Sequence, residues 1–207
     1  MNSVQANPDL APFRTISDLV REHARSRPAH AALVQGDDVL SYAALDALMD
    51  RIAASLQRDG IGPGDAIAIC ATTSPRYAAV FLGALRAGAA VAPLAPSVTP
   101  ESFASMLGDA QARLLFIDAA ALHALGTSAP AARCIALDDK APGESFDSWL
   151  AAAGARPQPV DVPAAAPFNI IYSSGTTGLP KGIVQSHGMR WSHVARGAGY
   201  DLSLIHI

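Results

Sequence analysis

The sequence predicts an α/β fold, in which a mainly parallel sheet is covered by helices on both faces. Through residues 66–137, short apolar runs of strand composition alternate with segments whose apolar residues recur at helical spacing. The chain has 207 residues, is 50% hydrophobic and has a mean hydropathy of +0.23, so it has enough apolar residues to bury such a core. Strands separated by helices imply right-handed crossovers, which make neighbouring strands parallel.

Three elements precede this alternation. Residues 16–26 are a predicted helix, because Thr15 and Asp18 have the spacing of a capping box. Residues 35–38, Gln-Gly-Asp-Asp, separate two apolar runs and predict the turn of a β-hairpin. The clearest helix covers residues 43–58, where leucine, methionine and isoleucine repeat at helical spacing.

The alternation itself then follows in order. Proline near the start of two helical patterns, at Pro75 and Pro100, fits the first turn of a helix, where no N–H partner is needed. The predicted strands are 66–71, 90–94, 113–117 and 134–137, and the predicted helices are 75–87, one opening at 99–101, and 119–125.

A stretch rich in proline and alanine interrupts this pattern at residues 153–167. It shows no apolar periodicity, so we expect a linker or a surface excursion there. The expected organisation is an N-terminal extension at 1–14, a first α/β subdomain at 15–152, the linker at 153–167, and the start of a second subdomain at 168–207.

Composition narrows the classes of function. The net charge is −3, the pI is near 6.0, and the 15 lysines and arginines are dispersed, which argues against a nucleic-acid partner. The N-terminus has no signal-peptide pattern and no apolar stretch is long enough to span a bilayer, so we expect a cytoplasmic protein without an integral membrane segment. Cys70 and Cys134 each lie in an apolar run, which favours buried reduced thiols over a disulfide or a metal site.

One polar loop carries the residues best suited to chemistry. It covers residues 173–181, Ser-Ser-Gly-Thr-Thr-Gly-Leu-Pro-Lys, between the strand-like runs 168–172 and 182–185. Its glycines allow successive N–H groups to turn inward, and its hydroxyls and one ammonium add donors, so the loop is suited to bind a polyphosphate. A Walker loop is excluded, because Lys181 is followed by glycine rather than serine or threonine. An ordinary polar hairpin is the competing interpretation, since this composition is also that of turns.

The segment YSSGTTGLPKG, residues 172–182, resembles the signature loop of the adenylate-forming superfamily. That superfamily includes acyl- and aryl-CoA ligases, luciferases and the adenylation domains of peptide synthetases. Residues 40–56 and 85–96 resemble the family's first core helix and second motif, in the same order. The likeness covers nearly all of residues 15–200 and implies the large N-terminal domain of these enzymes, less than half the length of a complete member.

The resemblance implies a two-step reaction. A carboxylate attacks the α-phosphate of ATP and releases pyrophosphate, and the acyl-adenylate then passes its acyl group to a thiol. The implied partners are a small-molecule carboxylic acid, ATP and coenzyme A, with Mg²⁺ on the phosphates. Residues 182–191 resemble stand-alone acyl-CoA ligases more than peptide-synthetase adenylation domains, which stay open as an alternative. Another alternative is an inactive fragment that at most binds nucleotide phosphates.

The resemblance also implies the site residues. His187, between the second strand and a predicted helix at 188–200, is a candidate for substrate binding, although a structural histidine is the competing interpretation. The family's catalytic lysine and metal-binding motif have no counterpart here, so we expect an N-terminal part that is inactive alone, with residues 203–207 not native. The β- and γ-phosphates are expected to lie against Ser173, Ser174, Gly175, Thr176, Thr177, Gly178 and Lys181.

Overall fold

The computed structural model describes residues 12–126, 132–173 and 180–197, which contain seven helices and nine strands. The helices are α1 (Ile16–Ser26), α2 (Tyr42–Arg58), α3 (Pro75–Arg86), α4 (Pro100–Asp109), α5 (Ala119–Leu125), α6 (Phe146–Trp149) and α7 (His187–Gly197). The strands are β1 (Ala31–Gln35), β2 (Asp38–Ser41), β3 (Ala66–Cys70), β4 (Ala90–Pro93), β5 (Ala112–Ile117), β6 (Arg133–Ala136), β7 (Glu144–Ser145), β8 (Pro167–Ser173) and β9 (Lys181–Ser186).

Side-chain caps set where the helices begin. The predicted capping box of α1 is present: the Thr15 hydroxyl accepts from the N–H of Asp18, and the Asp18 carboxylate accepts from the N–H of Thr15. Ser74 and Thr99 cap α3 and α4 by accepting from the N–H groups of Tyr77 and Ser102, and each is followed by proline in the first turn. The predicted helices over 16–26, 43–58, 75–87 and 119–125 are confirmed to within one residue at each end.

The main sheet has seven strands in the order β7-β6-β5-β3-β4-β8-β9. Every neighbouring pair is parallel except β8 and β9, which form an antiparallel hairpin. The chain adds β4 on one side of β3 and then crosses to add β5 on the other side. The predicted α/β class with a mainly parallel sheet is therefore confirmed.

Helices cover both faces of this sheet. Alternate residues of β3 point to opposite faces, so Ile67 and Ile69 pack with α1, α2, α3 and α6, whereas Ala68 packs with α4 and α5. On the first face, Trp149 meets Phe116 edge to face with 5.1 Å between ring centroids. Cys70 and Cys134 are both buried free thiols, as the apolar runs around them predict.

The segment 153–167 crosses the surface on the α2 side of the sheet. Two hydrogen bonds join Gln57 of α2 to the backbone of Gln158, with donor–acceptor distances of 3.0 and 2.8 Å. The surface excursion expected there is thus anchored to α2. The subdomain boundary predicted in this segment stays a prediction; the strand that follows it, β8, pairs with β4 in the same sheet.

The described helices can also be compared with the thickness of a bilayer. Among residues 12–126, 132–173 and 180–197, no helix is both long enough and apolar enough to cross a membrane.

Candidate functional site

The β8–β9 hairpin presents the predicted phosphate-binding loop. In its register Ser173, the last residue of β8, lies opposite Lys181, the first residue of β9. Because β8 runs parallel to β4, the loop emerges at the carboxyl edge of the parallel strands, where open α/β sheets bind ligands. The mouth of the loop is therefore flanked by a hydroxyl on one strand and an ammonium on the other.

Both flanking side chains are available to a ligand. Ser173 and Lys181 are exposed, and within the described parts of the chain Lys181 forms no ion pair. An uncompensated ammonium beside a hydroxyl suits an anion such as a polyphosphate. The roles assigned to Ser173 and Lys181 stay predictions, and Ser174, Gly175, Thr176, Thr177 and Gly178 lie outside the described residues.

The residue before Ser173 ties the hairpin to α4. The Tyr172 hydroxyl lies 2.7 Å from Oδ2 of Asp109 and 3.0 Å from the carbonyl oxygen of Met106. Burial, followed by the hydrogen bond to the Asp109 carboxylate, raises the pKa of Tyr172 above its ordinary value. The phenol therefore stays protonated and donates a hydrogen bond to α4.

His187 is the first residue of α7 and is only 2% exposed. Its ring meets Phe168 edge to face at 5.1 Å, and burial lowers the pKa of the imidazole, which favours the neutral ring. Its Nε2 atom has no hydrogen-bond partner among the described residues. The structure thus gives His187 a buried position with one unused nitrogen, and its role in substrate binding stays a prediction.

The N-terminus of α7 does not offer free N–H groups to an anion. The N–H of His187 donates to the carbonyl of Ala166 at 3.0 Å, and that of Gly188 donates to Ala164 at 2.7 Å. The next N–H, of Met189, donates to the Ser186 hydroxyl at 3.2 Å. Since these three N–H groups already have partners, they are not available to bind an anion.

Two further buried polar atoms lie near His187. Among the described residues, neither Oδ1 of Asn169 on β8 nor Nε of Arg190 on α7 has a hydrogen-bond partner, although the Arg190 guanidinium donates to Gln185. That guanidinium lies 5.7 Å from the centre of the Phe168 ring, within the range of a cation–π contact. Within the described ranges, no group of three or more His, Cys, Asp or Glu residues is arranged to hold a metal ion.

Sequence reasoning missed the partnership of Tyr172 with Asp109. A tyrosine in a half-buried strand is typical of a core residue, and here its ring does pack against the apolar residues between the sheet and α4. Its hydroxyl partner lies 63 residues away in the sequence. No local pattern marks such a contact, because it exists only once α4 is packed beside β8.

Comparison with known proteins agrees with this fold and loop. The AMP-binding enzyme family matches residues 20–201. The fatty acid–[acyl-carrier-protein] ligase ScoC of Streptomyces coeruleorubidus is 32% identical over 178 residues, which cover 84% of this chain and 33% of that protein. The nonribosomal peptide synthetase vlms of a Lecanicillium species is 32% identical over 186 residues, which cover 87% of this chain and 2% of that protein.

A solved structure of a similar protein has the same fold. The inhibitor-bound N-terminal domain of FACL13 from Mycobacterium tuberculosis superposes with a TM-score of 0.71 at 27% identity. The superposition covers 84% of this chain and 45% of that one. The chain thus spans about a third of the length of ScoC and less than half of the FACL13 domain. With the family matched over residues 20–201 on this doubly wound sheet, the chain belongs to the AMP-binding enzymes.

Proposed function

We propose that this chain supplies the phosphate-binding part of an ATP-dependent ligase that activates a carboxylic acid and transfers it to coenzyme A. The observation that carries the proposal is the pairing of Ser173 with Lys181 at the mouth of the β8–β9 loop, on the carboxyl edge of the sheet. The family match supports the reaction class, and the exposed ammonium of Lys181 supports a phosphate-binding role for this part of the chain.

The first step needs positive charge where the loop lies. A carboxylate oxygen bonds to the α-phosphorus as the bond from that phosphorus to the departing pyrophosphate breaks, so negative charge accumulates on the pyrophosphate. Lys181 and the hydroxyl of Ser173 would hold the β- and γ-phosphates and stabilise that charge. Mg²⁺ bound to the phosphates would supply further positive charge; no described residue is assigned as its ligand.

Hydrogen bonds from the loop would help to hold the phosphates of ATP. Hydrogen bonds to charged groups contribute about 1.5–3 kcal/mol each, so a few of them offset part of the cost of removing phosphate from water. Lys181 is exposed, and solvent screening reduces its contribution below that range. The loop thus acts through binding and positioning, and neither Ser173 nor Lys181 moves a proton.

The second step transfers the acyl group. A thiol sulfur bonds to the acyl carbon while the bond from that carbon to AMP breaks, and the thiol proton leaves to solvent. Coenzyme A is our first choice of acceptor, because residues 182–191 resemble stand-alone acyl-CoA ligases. A carrier-protein thiol is the second candidate, favoured by the similarity to ScoC, whose name describes it as a fatty acid–[acyl-carrier-protein] ligase.

Pyrophosphate release tests the proposal. The 207-residue chain and the complete product of its gene are each incubated with ATP, Mg²⁺ and a panel of carboxylic acids. We expect acid-dependent release from the complete product, and thioester formation when coenzyme A is added. Release with thioester formed only on a carrier protein would select the second acceptor. A folded complete product that releases no pyrophosphate with any acid would contradict the proposal.

A further inference from the structure

We propose that Tyr172, Asp109 and Gly182 form a clamp that fixes the direction of the phosphate-binding loop: Tyr172 ties β8 to the C-terminal end of α4, and Gly182 leaves the space on β9 that the Asp109 carboxylate needs. The inference deepens the proposed function and rests on it, because the direction of the loop matters only if the loop holds ATP. The three residues come from β8, α4 and β9, and they lie close together beside Ser173 and Lys181.

The first contact of the clamp is polar. The Tyr172 hydroxyl lies 2.7 Å from Oδ2 of Asp109 and 3.0 Å from the Met106 carbonyl, so one group on β8 reaches both a side chain and the backbone of the last turn of α4. A hydrogen bond to a carboxylate is stronger than one between neutral groups. β8 is therefore held to α4 at the residue immediately before Ser173.

The second feature of the clamp is the space that Gly182 leaves because it has no side chain. This glycine pairs with Tyr172 across the hairpin and is not among the residues with positive φ, so its backbone does not require glycine. A Cβ atom there would lie 2.9 Å from Oδ2 of Asp109, 3.1 Å from Ile170 and 3.2 Å from the Tyr172 ring. The Asp109 carboxylate thus occupies the space that a side chain on β9 would need.

The clamp lies one residue from each end of the loop. Ser173 follows Tyr172, and Lys181 precedes Gly182. The position of the hairpin against α4 therefore sets the positions of the Ser173 hydroxyl and the Lys181 ammonium together. Asp109 is exposed and contributes nothing to the apolar core, whereas the Tyr172 ring packs there with or without its hydroxyl. The hydroxyl–carboxylate contact is therefore a positioning contact that can be removed without emptying the core.

Substitution of Tyr172→Phe in the complete gene product removes only the hydroxyl. We expect the KM for ATP to rise roughly three- to tenfold, the factor that corresponds to the loss of one hydrogen bond, while the KM for the carboxylic acid stays unchanged. Tyr77→Phe is the matched control, because Tyr77 packs against the opposite face of the sheet and its hydroxyl has no hydrogen bond among the described residues.

A second pair of variants separates positioning from packing. Asp109→Asn keeps an oxygen that accepts from Tyr172, so we expect its KM for ATP to stay close to that of the parent enzyme, whereas Asp109→Ala should behave as Tyr172→Phe does. Gly182→Ala should also raise the KM for ATP, because the new methyl group displaces the carboxylate.

The outcomes distinguish the clamp from the proposed function. Equal KM values for ATP in Tyr172→Phe and Tyr77→Phe would overturn the clamp. It would also be overturned if Tyr172→Phe raised the KM for ATP and the KM for the carboxylic acid by the same factor and lowered the melting temperature. If the parent enzyme releases no pyrophosphate, the proposed function fails. The clamp is then judged by calorimetric binding of ATP to the same variants: a three- to tenfold weaker Kd in Tyr172→Phe alone supports it, and equal Kd values overturn it.

Discussion

Replacement of Gly83 by alanine tests the packing of α2 against α3, which builds the layer over one face of the sheet. Gly83 is a buried residue inside α3, and it is not among the residues with positive φ. A Cβ atom at this position would lie 2.6 Å from Cγ2 and 2.7 Å from Cβ of Ile52 on α2. The two helices therefore approach each other at a point where neither has room for another methyl group.

Two opposing effects set the magnitude. Alanine is better than glycine inside a helix by about 0.5–1 kcal/mol. Overpacking a well-filled core costs typically about 1–3 kcal/mol, and here the upper part of that range applies, because Ile52 Cβ is fixed to the backbone and cannot rotate away. We expect Gly83→Ala to lower the free energy of unfolding by about 1–2 kcal/mol.

Urea unfolding of the complete gene product, followed by circular dichroism, measures the change. Gly108→Ala is the matched control, because Gly108 lies in α4 and, apart from the backbone of that helix, no atom of the described residues lies within 4 Å of the place that a methyl group there would occupy. The same substitution should therefore be neutral or stabilising. In an Ile52→Ala background, which removes the Cγ2 contact and keeps the Cβ contact, the penalty of Gly83→Ala should shrink without vanishing. Equal penalties in both backgrounds, or a stabilised Gly83→Ala protein, would refute the reasoning.

Three further predictions concern charge and reactivity. Lys181→Ala should slow acid-dependent pyrophosphate release at least about tenfold without lowering the melting temperature, because the ammonium is exposed and binds phosphate rather than the core; unchanged release would contradict this role. Arg86→Ala should lower the free energy of unfolding by about 3 kcal/mol, the lower end of the range for breaking a buried ion pair, because it removes the buried partner of Asp46 and Asp50 at 2.6 and 2.8 Å while Arg21 stays 2.9 Å from Asp50. A loss of less than about 1 kcal/mol in urea unfolding, as for an exposed pair, would argue against the network. Burial raises the pKa of Cys70 to about 12, so iodoacetamide should modify it only after unfolding, as mass spectrometry would show; modification of the folded protein would contradict the buried thiol.

Local chemistry made much of the fold predictable. The Thr15 capping box, the prolines that open α3 and α4, and the period of the apolar residues are encoded within a few positions, so the bounds of α1, α2, α3 and α5 could be predicted to within one residue. The hairpin turn at 35–38 likewise depends on neighbouring residues, and it lies between β1 and β2 as the sequence predicts.

The remaining features depend on contacts between distant residues. β7 and α6 have two and four residues, too few to show a period, and α6 is positioned by Trp149 packing on Phe116. The pairing of β8 with β4 cannot be read from a linear pattern either, since many strand orders fit the same alternation. The contact between Tyr172 and Asp109 has the same character, which is why this part of the site escaped sequence reasoning.

Tracing an ¹⁸O label from the carboxylic acid tests the central claim, that the enzyme activates this acid by attack on the α-phosphate of ATP, most directly. The complete gene product is incubated with the labelled acid, ATP, Mg²⁺ and coenzyme A, and the phosphorus-containing products are analysed by mass spectrometry. Attack on the α-phosphate leaves one carboxylate oxygen on AMP after the thiol takes the acyl group, so labelled AMP with unlabelled pyrophosphate is the expected result. Label in inorganic phosphate, with ADP as the nucleotide product, would show attack on the γ-phosphate and would contradict the account.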